Sequence, residues 1–282
     1  MRTLFADVRH SVRVLLKSPG FTAVAVAALA LGIGANTAIF SVVNAVLLKP
    51  LPYPQPDRIM SLMRKFPNGY GGSISIPKFV VWRQNNVFDS MAAYNSTGPG
   101  MNLVVSDRPE PVRAIHASVD YFRVFGAQMT LGRSFLPEED RPGGARVAVL
   151  AENLWDHRFG RDNGIAGRTI NLNNDLYTVI GVVSKNFQPD PPVDVFIPLQ
   201  ADPNSTNQGH YLAVAGRLKP GVPVTAANAE MKIVGERFRR AYPKFMDEHE
   251  SVGVRPMSRA KKLVGRTANQ SLFVVGVMKI CC

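Results

Sequence analysis

The densest group of side chains that could carry chemistry is the acidic run Glu138, Glu139 and Asp140. Paired carboxylates can share general acid and base roles when their surroundings separate their pKa values. This run lies in a loop bounded by proline and glycine, directly before Arg141. Such a composition is typical of a solvated turn, so we expect the carboxylates to be exposed and to have no catalytic role.

The other reactive side chains form no recognisable site. The five histidines lack partners at metal-ligand spacing, and Ser184 and Ser205 stand in no nucleophile pattern. The sequence contains no Walker A loop, HExxH helix or glycine-rich dinucleotide fingerprint. Cys281 and Cys282 are the only cysteines, which argues against a disulfide scaffold and a cysteine-ligated zinc site. We therefore predict a non-enzymatic chain with no catalytic, cofactor-binding or metal-binding residues and no cofactor.

The net charge of +12 fits either a nucleic acid or an anionic membrane surface as partner. The basic residues are scattered, however, and no lysine- and arginine-dense run is interleaved with aromatic residues. We expect no nucleic-acid partner.

The element that decides the class of protein is the uncharged run at residues 21–48, between Lys17 and Lys49. An uncharged run longer than about 18 residues predicts a transmembrane helix. As a helix it would extend roughly 42 Å, which exceeds a bilayer core of about 30 Å. The helix must therefore tilt or continue as a stalk. The pairs Ala28/Gly32 and Ala30/Gly34 place small residues four apart, a spacing that allows another helix, such as that of a homodimer partner, to approach closely.

Residues 1–20 form a basic leader before this run. Apolar residues recur at helical spacing there, and Arg9, Arg13 and Lys17 lie on the other side, so we predict an amphipathic helix at the lipid interface. Ser18, Pro19 and Gly20 are expected to break it. By the positive-inside rule the N-terminus is cytoplasmic and the later residues lie outside, at the inner (plasma) membrane.

A cleavable signal peptide ending near Ala35 is the competing interpretation. The apolar run continues well past Ala35, whereas the apolar region of a signal peptide spans about 7–15 residues. A retained helix is therefore favoured.

The remaining sequence is typical of an α+β domain with short elements. Its patterns predict strands at residues 58–64, 101–105, 111–119, 146–151, 168–172, 176–183, 194–199 and 211–218, with a hairpin turn at residues 173–175. Ser75 and Pro77 are the start signals of one predicted helix. Further helices are predicted at residues 120–125, around Trp155, and at residues 225–241, where Pro243 ends the last one.

Several motifs resemble MacB/FtsX-type ABC transporter permeases, in particular duplicated orphan permeases. They are the leader with DVRHSVRVLLKSPGFTAV, then VDYFRVFGAQMTLGRSFLPEED, VAVLAENLWDHRFGRD, GRTINLNNDLYTVIGVV, DVFIPL and GRLKPGV, in this order. The resemblance covers the chain to about residue 265. It implies a cytoplasmic interfacial helix at residues 1–20, a transmembrane helix at 21–48 and a MacB-like periplasmic core domain at 49–265.

The resemblance also implies a function. Such permeases couple a separate cytoplasmic ABC ATPase to conformational change outside, for efflux or mechanotransmission, and a periplasmic adaptor is a further partner. Arg9, Arg13 and Lys17 would lie in the cytoplasmic coupling region. Residues 266–282 start a second apolar segment that is too short to span, so the chain is expected to be a truncated N-terminal part. The alternative is a signal-anchored periplasmic enzyme or binding protein that is complete as it stands.

Overall fold

The computed structural model describes residues 19–43, 51–95, 100–105 and 108–257. They fall into two units, and the larger is Leu51–Ser258, here called the core. The amphipathic helix expected at residues 1–20 lies outside the described residues except for its last two positions, and so do residues 44–50 and 258–282.

Helix α1, Pro19–Val43, belongs to the other unit. Its residues from Pro19 to Ala38 are long and apolar enough to cross a membrane, the one such helix among the described residues. The side chains of Phe21 and Leu31 are 73% and 75% exposed. The helix begins at Pro19, two residues before the uncharged run; proline lacks an N–H and suits a first helical position, where that N–H has no partner. The break expected between the leader and this helix involves Ser18, which lies outside the described residues.

The core begins with a sheet that carries two helices on one face. Its first half is β1 (Ile59–Phe66), β2 (Gly69–Gly71), α2 (Ile76–Trp82) and β3 (Phe88–Tyr94). The second half comes much later in the chain, as β12 (Ala213–Leu218), α5 (Val224–Ala241) and β13 (Ser251–Pro256). The strands pair antiparallel in the order β13-β1-β12-β3. This is the βαββαβ arrangement of ferredoxin-like domains.

The intervening residues extend the same sheet. They form β4 (Met101–Val105), β5 (Arg108–Val112), β6 (Ala114–Ala117), α3 (Tyr121–Phe125), β7 (Met129–Gly132), β8 (Val147–Ala151), α4 (Glu152–Phe159), β9 (Thr169–Leu172), β10 (Asp175–Val183) and β11 (Val195–Pro198). The sheet continues from β3 in the order β6-β11-β8-β10-β9-β4-β5, and β7 pairs with β10. The β6–β11 and β8–β10 pairs are parallel, and the others are antiparallel.

Successive side chains along a strand point to opposite faces of the sheet, and on each face they join a different apolar cluster. On β1, Ile59 packs into an aromatic cluster, whereas Met60 packs under α2 and α5. On β8, Val149 joins the aromatic cluster and Leu150 packs on the opposite face. Period-2 alternation of apolar residues on both faces of β1 and β8 produces this arrangement, since the first residues of β1 and most of β8 are covered on both sides.

Two polar contacts complete the packing of α2, α5 and β13. The Lys78 ammonium pairs with the Glu250 carboxylate, and these side chains are 1% and 3% exposed. The Asn228 side chain donates to the carbonyl of Val254 and accepts from its N–H, at 3.0 Å each. Both contacts fix β13 against the helices.

The predicted elements are largely confirmed, and the exceptions have local causes. The strand expected at residues 111–119 is wrong because it divides at Arg113, whose N–H donates to the Asp194 carboxylate and whose carbonyl accepts from Asp194 and Val195. The chain there changes its neighbour from β4 to β11. The hairpin turn consists of Asn173 and Asn174, both at positive φ, as two-residue hairpins require.

Candidate functional site

Residues 51–58 connect the N-terminal unit to β1, and we call them the strap. Leu51 and Tyr53 are buried, while Pro52 and Pro54 between them are exposed. The Tyr53 ring lies 5.0 Å from that of Phe125 and 5.8 Å from that of Phe187, centroid to centroid. Its hydroxyl donates to the carbonyl of Gln188 at 3.1 Å. The strap is therefore anchored in the aromatic cluster by a side chain with both apolar and polar partners.

Arginines bond the strap to β12 in both directions. Arg58 in the strap donates through Nε and Nη2 to the carbonyl of Leu218, at 2.9 and 2.7 Å. Arg217 in β12 donates through Nη2 to the carbonyl of Pro54 at 3.1 Å and through Nε to that of Val124 at 2.8 Å. Arg217 is buried, and this burial lowers the pKa of its guanidinium. Hydrogen bonds to charged groups are stronger than neutral ones, so these contacts resist displacement of the strap.

Gly126 allows the strap to approach α3. It follows the last residue of α3 with φ +63, a conformation that favours glycine. A Cβ at this position would lie 3.1 Å from Cγ of Pro54. The residue therefore ends the helix and leaves space for the strap.

The C-terminal end of the core lies beside the strap. Pro256, the last residue of β13, pairs with Met60, and the N–H of Met257 donates to the carbonyl of Ile59 at 2.9 Å. The chain therefore enters and leaves the core at the same end of neighbouring strands. Elements attached before and after the core would act on the same few residues.

Comparison with known proteins identifies the family. Residues 22–234 match the MacB-like periplasmic core domain. The chain belongs to this family. It is a family of ABC transporter permeases, which are non-enzymatic components of their transporters. No curated protein matches the sequence.

Solved structures show the same fold at low sequence identity. The periplasmic region of MacB from Actinobacillus actinomycetemcomitans is 17% identical with a TM-score of 0.52, over 78% of this chain and 96% of that one. A domain assigned to a permease protein from Porphyromonas gingivalis is 14% identical with a TM-score of 0.55, over 73% and 94%. The extracellular domain of the noncanonic ABC-type transporter YknZ from Gram-positive bacteria is 12% identical with a TM-score of 0.50, over 70% and 99%. The α+β fold and the MacB-like identity expected from the sequence are confirmed.

A cleft of about 330 Å³ lies beside the strap of the MacB-like core. Its lining includes the strap itself, the end of α3 and the loop after β10: Pro52, Tyr53, Pro54, Phe125, Gly126, Ala127, Gln128, Ser184, Asn186 and Phe187. No lining side chain carries a charge, so the cleft is suited to a neutral group and offers no acid or base.

The acidic run is not the solvated turn that the sequence predicts. Glu139 is 5% exposed, and its carboxylate accepts from Arg133 at 2.7 and 2.9 Å and from the N–H of Leu136. The Arg133 guanidinium lowers the pKa of Glu139. The half-buried Asp140 accepts from the N–H groups of Val119 and Gln200, whereas Glu138 is exposed. The hydrogen bonds of Glu139 and Asp140 therefore hold this loop against the core.

The histidines and serines stay apart. Among the described residues, no three side chains of the metal-ligating types converge. Ser184 and Ser205 accept from backbone N–H groups two residues later, which is a local turn contact. His10 lies outside the described residues.

The strap contacts were not predicted from the sequence. One signal was present: Arg217 interrupts an otherwise apolar strand, AVAGRL, at a position that must face inward or be paired. Its partners are carbonyls of residues far away in the chain, which no sequence pattern reveals.

Proposed function

We propose that this chain is the permease subunit of an ABC transporter, or the N-terminal part of one. In this proposal it couples a separate cytoplasmic ATPase to conformational change in an extracytoplasmic core, for efflux or mechanotransmission. Family membership and the membrane-length helix α1 support the proposal. The observation that carries the coupling role is the reciprocal bonding of Arg58 and Arg217 between strap and β12.

The physical argument is one of force transmission. Any displacement of the segment before residue 51 reaches the core first through the strap, because the chain is covalently continuous. A weakly attached strap would separate from the core, and its movement would not reach the sheet. This strap is held by charge-assisted bonds, each worth about 1.5–3 kcal/mol, and by the buried Tyr53 ring. Movement of the strap is therefore passed to the sheet.

The test needs the chain and an ATPase together. We would co-express the chain with the cytoplasmic ABC ATPase encoded nearest to it, isolate the complex from membranes, and measure ATP hydrolysis and limited proteolysis of the core with and without ATP. We expect ATP-dependent proteolytic protection that is lost in Arg217→Ala and kept in the control Arg108→Ala, an exposed position on β5. Failure of any ATPase to co-purify, or protection unchanged by Arg217→Ala, would contradict the coupling role.

The proposed topology has a separate test. We propose a cytoplasmic N-terminus and an extracytoplasmic core. In a chain with Cys281 and Cys282 replaced by serine, a cysteine at the exposed Glu138 should react with an impermeant maleimide in intact cells, and a cysteine at Ser11 should react only after lysis. The reverse pattern would overturn the orientation.

A signal-anchored binding protein is the second candidate, and the cleft beside Tyr53 is what favours it. Co-purification of an ATPase with the membrane-bound chain would contradict it, whereas an intact N-terminus would exclude only a domain secreted after cleavage near Ala35. A homodimer through α1 and a periplasmic adaptor are further partners that we propose on the family resemblance.

A further inference from the structure

The cleft beside the strap combines buried aromatic rings with exposed proline rings. Tyr53, Phe125 and Phe187 are buried, and the distances between their ring centroids are 5.0, 5.8 and 6.0 Å. Pro52 and Pro54 line the same cleft and are exposed. Much of the lining therefore consists of rings, which pack well against another ring because aromatic pairs favour stacked and edge-to-face contacts.

Neutral polar groups complete the lining. The side chains of Gln128 and Asn186 are exposed, and within the described part of the chain no hydrogen bond engages their amide groups. The half-buried Ser184 hydroxyl accepts from the N–H of Asn186 at 3.3 Å, and its own proton is available for donation. The cleft therefore offers donors and acceptors of hydrogen bonds next to the rings.

This lining is unfavourable for a purely apolar ligand. Such a ligand would displace water from the amide and hydroxyl groups without replacing their hydrogen bonds, which is costly.

A charged ligand is also unfavourable, because the described residues that line the cleft carry no opposite charge. Two cations lie nearby. Lys185 is exposed but does not line the cleft, and the guanidinium of Arg217 already donates to the carbonyls of Val124 and Pro54. An uncharged ligand that has both a ring and a hydrogen-bonding group fits the lining best.

The size of the cleft limits the ligand further. Its volume of about 330 Å³ is near the lower end of the range for small-molecule sites, roughly 300–1,000 Å³. This volume admits a compound of one or two rings. The strap, the end of α3 and the loop after β10 all contribute to the lining, so a bound compound would contact the strap and the rest of the core together.

We propose that this cleft binds a small uncharged aromatic compound that carries an amide or hydroxyl group. Its ring packs against Tyr53 and Phe187, and its polar group bonds to Gln128 and Asn186. The inference names a ligand class for the cleft that favours the second candidate function. It does not rest on the coupling role, because binding in the cleft requires no ATPase.

The experiment measures binding of defined probes to the full chain in detergent. The probe is 5-fluoroindole-3-acetamide, followed by the fluorine NMR signal, and its anionic analogue is 5-fluoroindole-3-acetate. We expect saturable binding of the amide and at least about tenfold weaker binding of the acetate, since its charge has no counter-charge in the cleft. Cyclohexylacetamide, which has no aromatic ring, should not displace the probe.

Substitutions at exposed positions locate the binding. Pro54→Ala removes one ring from the lining, and Gln128→Ala with Asn186→Ala removes both amides. Each should weaken binding about fivefold or more, through lost packing and lost hydrogen bonds. The matched controls Pro142→Ala and Asn204→Ala are exposed and lie outside the cleft, so they should leave binding unchanged.

Four results would overturn the proposal. They are the absence of saturable binding, equal or tighter binding of the acetate, displacement by cyclohexylacetamide, and binding that is unchanged in both cleft variants. The last result would mean that the probe enters the detergent or another site. None of these results bears on the coupling role, which is tested through the ATPase.

Discussion

Removal of the Lys78 ammonium should destabilise the core severely. Lys78→Met keeps an unbranched side chain of similar length but leaves the Glu250 carboxylate buried, at 3% exposure, without its cation. Breaking one side of a buried ion pair costs about 3–5 kcal/mol. For a domain of about 150–250 residues, each kcal/mol lowers Tm by about 2–4 °C, so we expect a decrease of roughly 6–20 °C.

The double variant should behave differently. Lys78→Met with Glu250→Leu removes both charges and fills the site with apolar atoms beside the Phe238 ring, which lies 5.5 Å from the Lys78 nitrogen. Replacing a buried pair with apolar residues is often neutral, or stabilising by about 1–4 kcal/mol. We therefore expect the double variant to recover most or all of the stability lost in either single one. The change in unfolding free energy of the double variant, minus the sum of the changes in the two single variants, is the coupling energy of the pair.

Thermal unfolding of the full chain in detergent, followed by near-ultraviolet circular dichroism, is a suitable assay. Trp82, at the end of α2, is 1% exposed in the apolar cluster beneath α5 and reports on this packing. The matched control is Lys219→Met, an exposed lysine in the loop before α5. Two results would refute the reasoning. One is a decrease in the free energy of unfolding below about 1 kcal/mol in Lys78→Met. The other is a decrease in the double variant that equals the sum of the decreases in the two single variants.

The remaining predictions concern the strap and the acidic loop. Arg217→Met should lower the free energy of unfolding by about 1–3 kcal/mol, because the carbonyl of Val124 loses its buried donor and that of Pro54 a part-buried one; urea unfolding would measure it, and a loss below about 0.5 kcal/mol would contradict the strap's role. Gly126→Ala should cost about 1–2 kcal/mol from its left-handed backbone and should increase proteolysis near residue 54; unchanged stability would show that Pro54 adjusts freely. The pKa of Glu139 is lowered by Arg133, so its stabilisation is complete above the ordinary glutamate pKa and is lost as pH falls toward the folded value. Urea unfolding between about pH 7 and pH 3 should therefore show that the free energy of unfolding falls less steeply with decreasing pH in Glu139→Gln than in the unsubstituted chain. The same pH dependence in both would contradict this assignment.

Local patterns predicted the elements whose packing is encoded in their own residues. The apolar spacing of α5 and the alternation of β9 and β10 identified these elements within a few residues. β3 was not predicted, because its sequence FDSMAAY contains an aspartate, a serine and two alanines, which have little preference for strands. It becomes a strand because β12 pairs with it from far along the chain. Non-local pairing of this kind leaves no local pattern.

The candidate site was predictable only in outline. Leu51 and Tyr53 alternate with prolines, and this period-2 spacing is visible in the sequence, but what they pack against is not. The burial of Glu139 was missed because a proline- and glycine-bounded acidic run is usually solvated. Its partner Arg133 stands six residues earlier in the chain, a spacing that carries no recognised pattern.

The Asn228 contact has a consequence for how such chains can assemble. β13 and β5 end the main sheet path in the described part of the chain, and an open strand edge readily accepts another strand. Asn228 already occupies the N–H and carbonyl of Val254, and the next position of the same parity is Pro256, which has no N–H. At the other end, Pro109 and Pro111 remove donors from β5. At these positions both edges are therefore poor templates for an added strand, which disfavours edge-to-edge pairing of neighbouring cores.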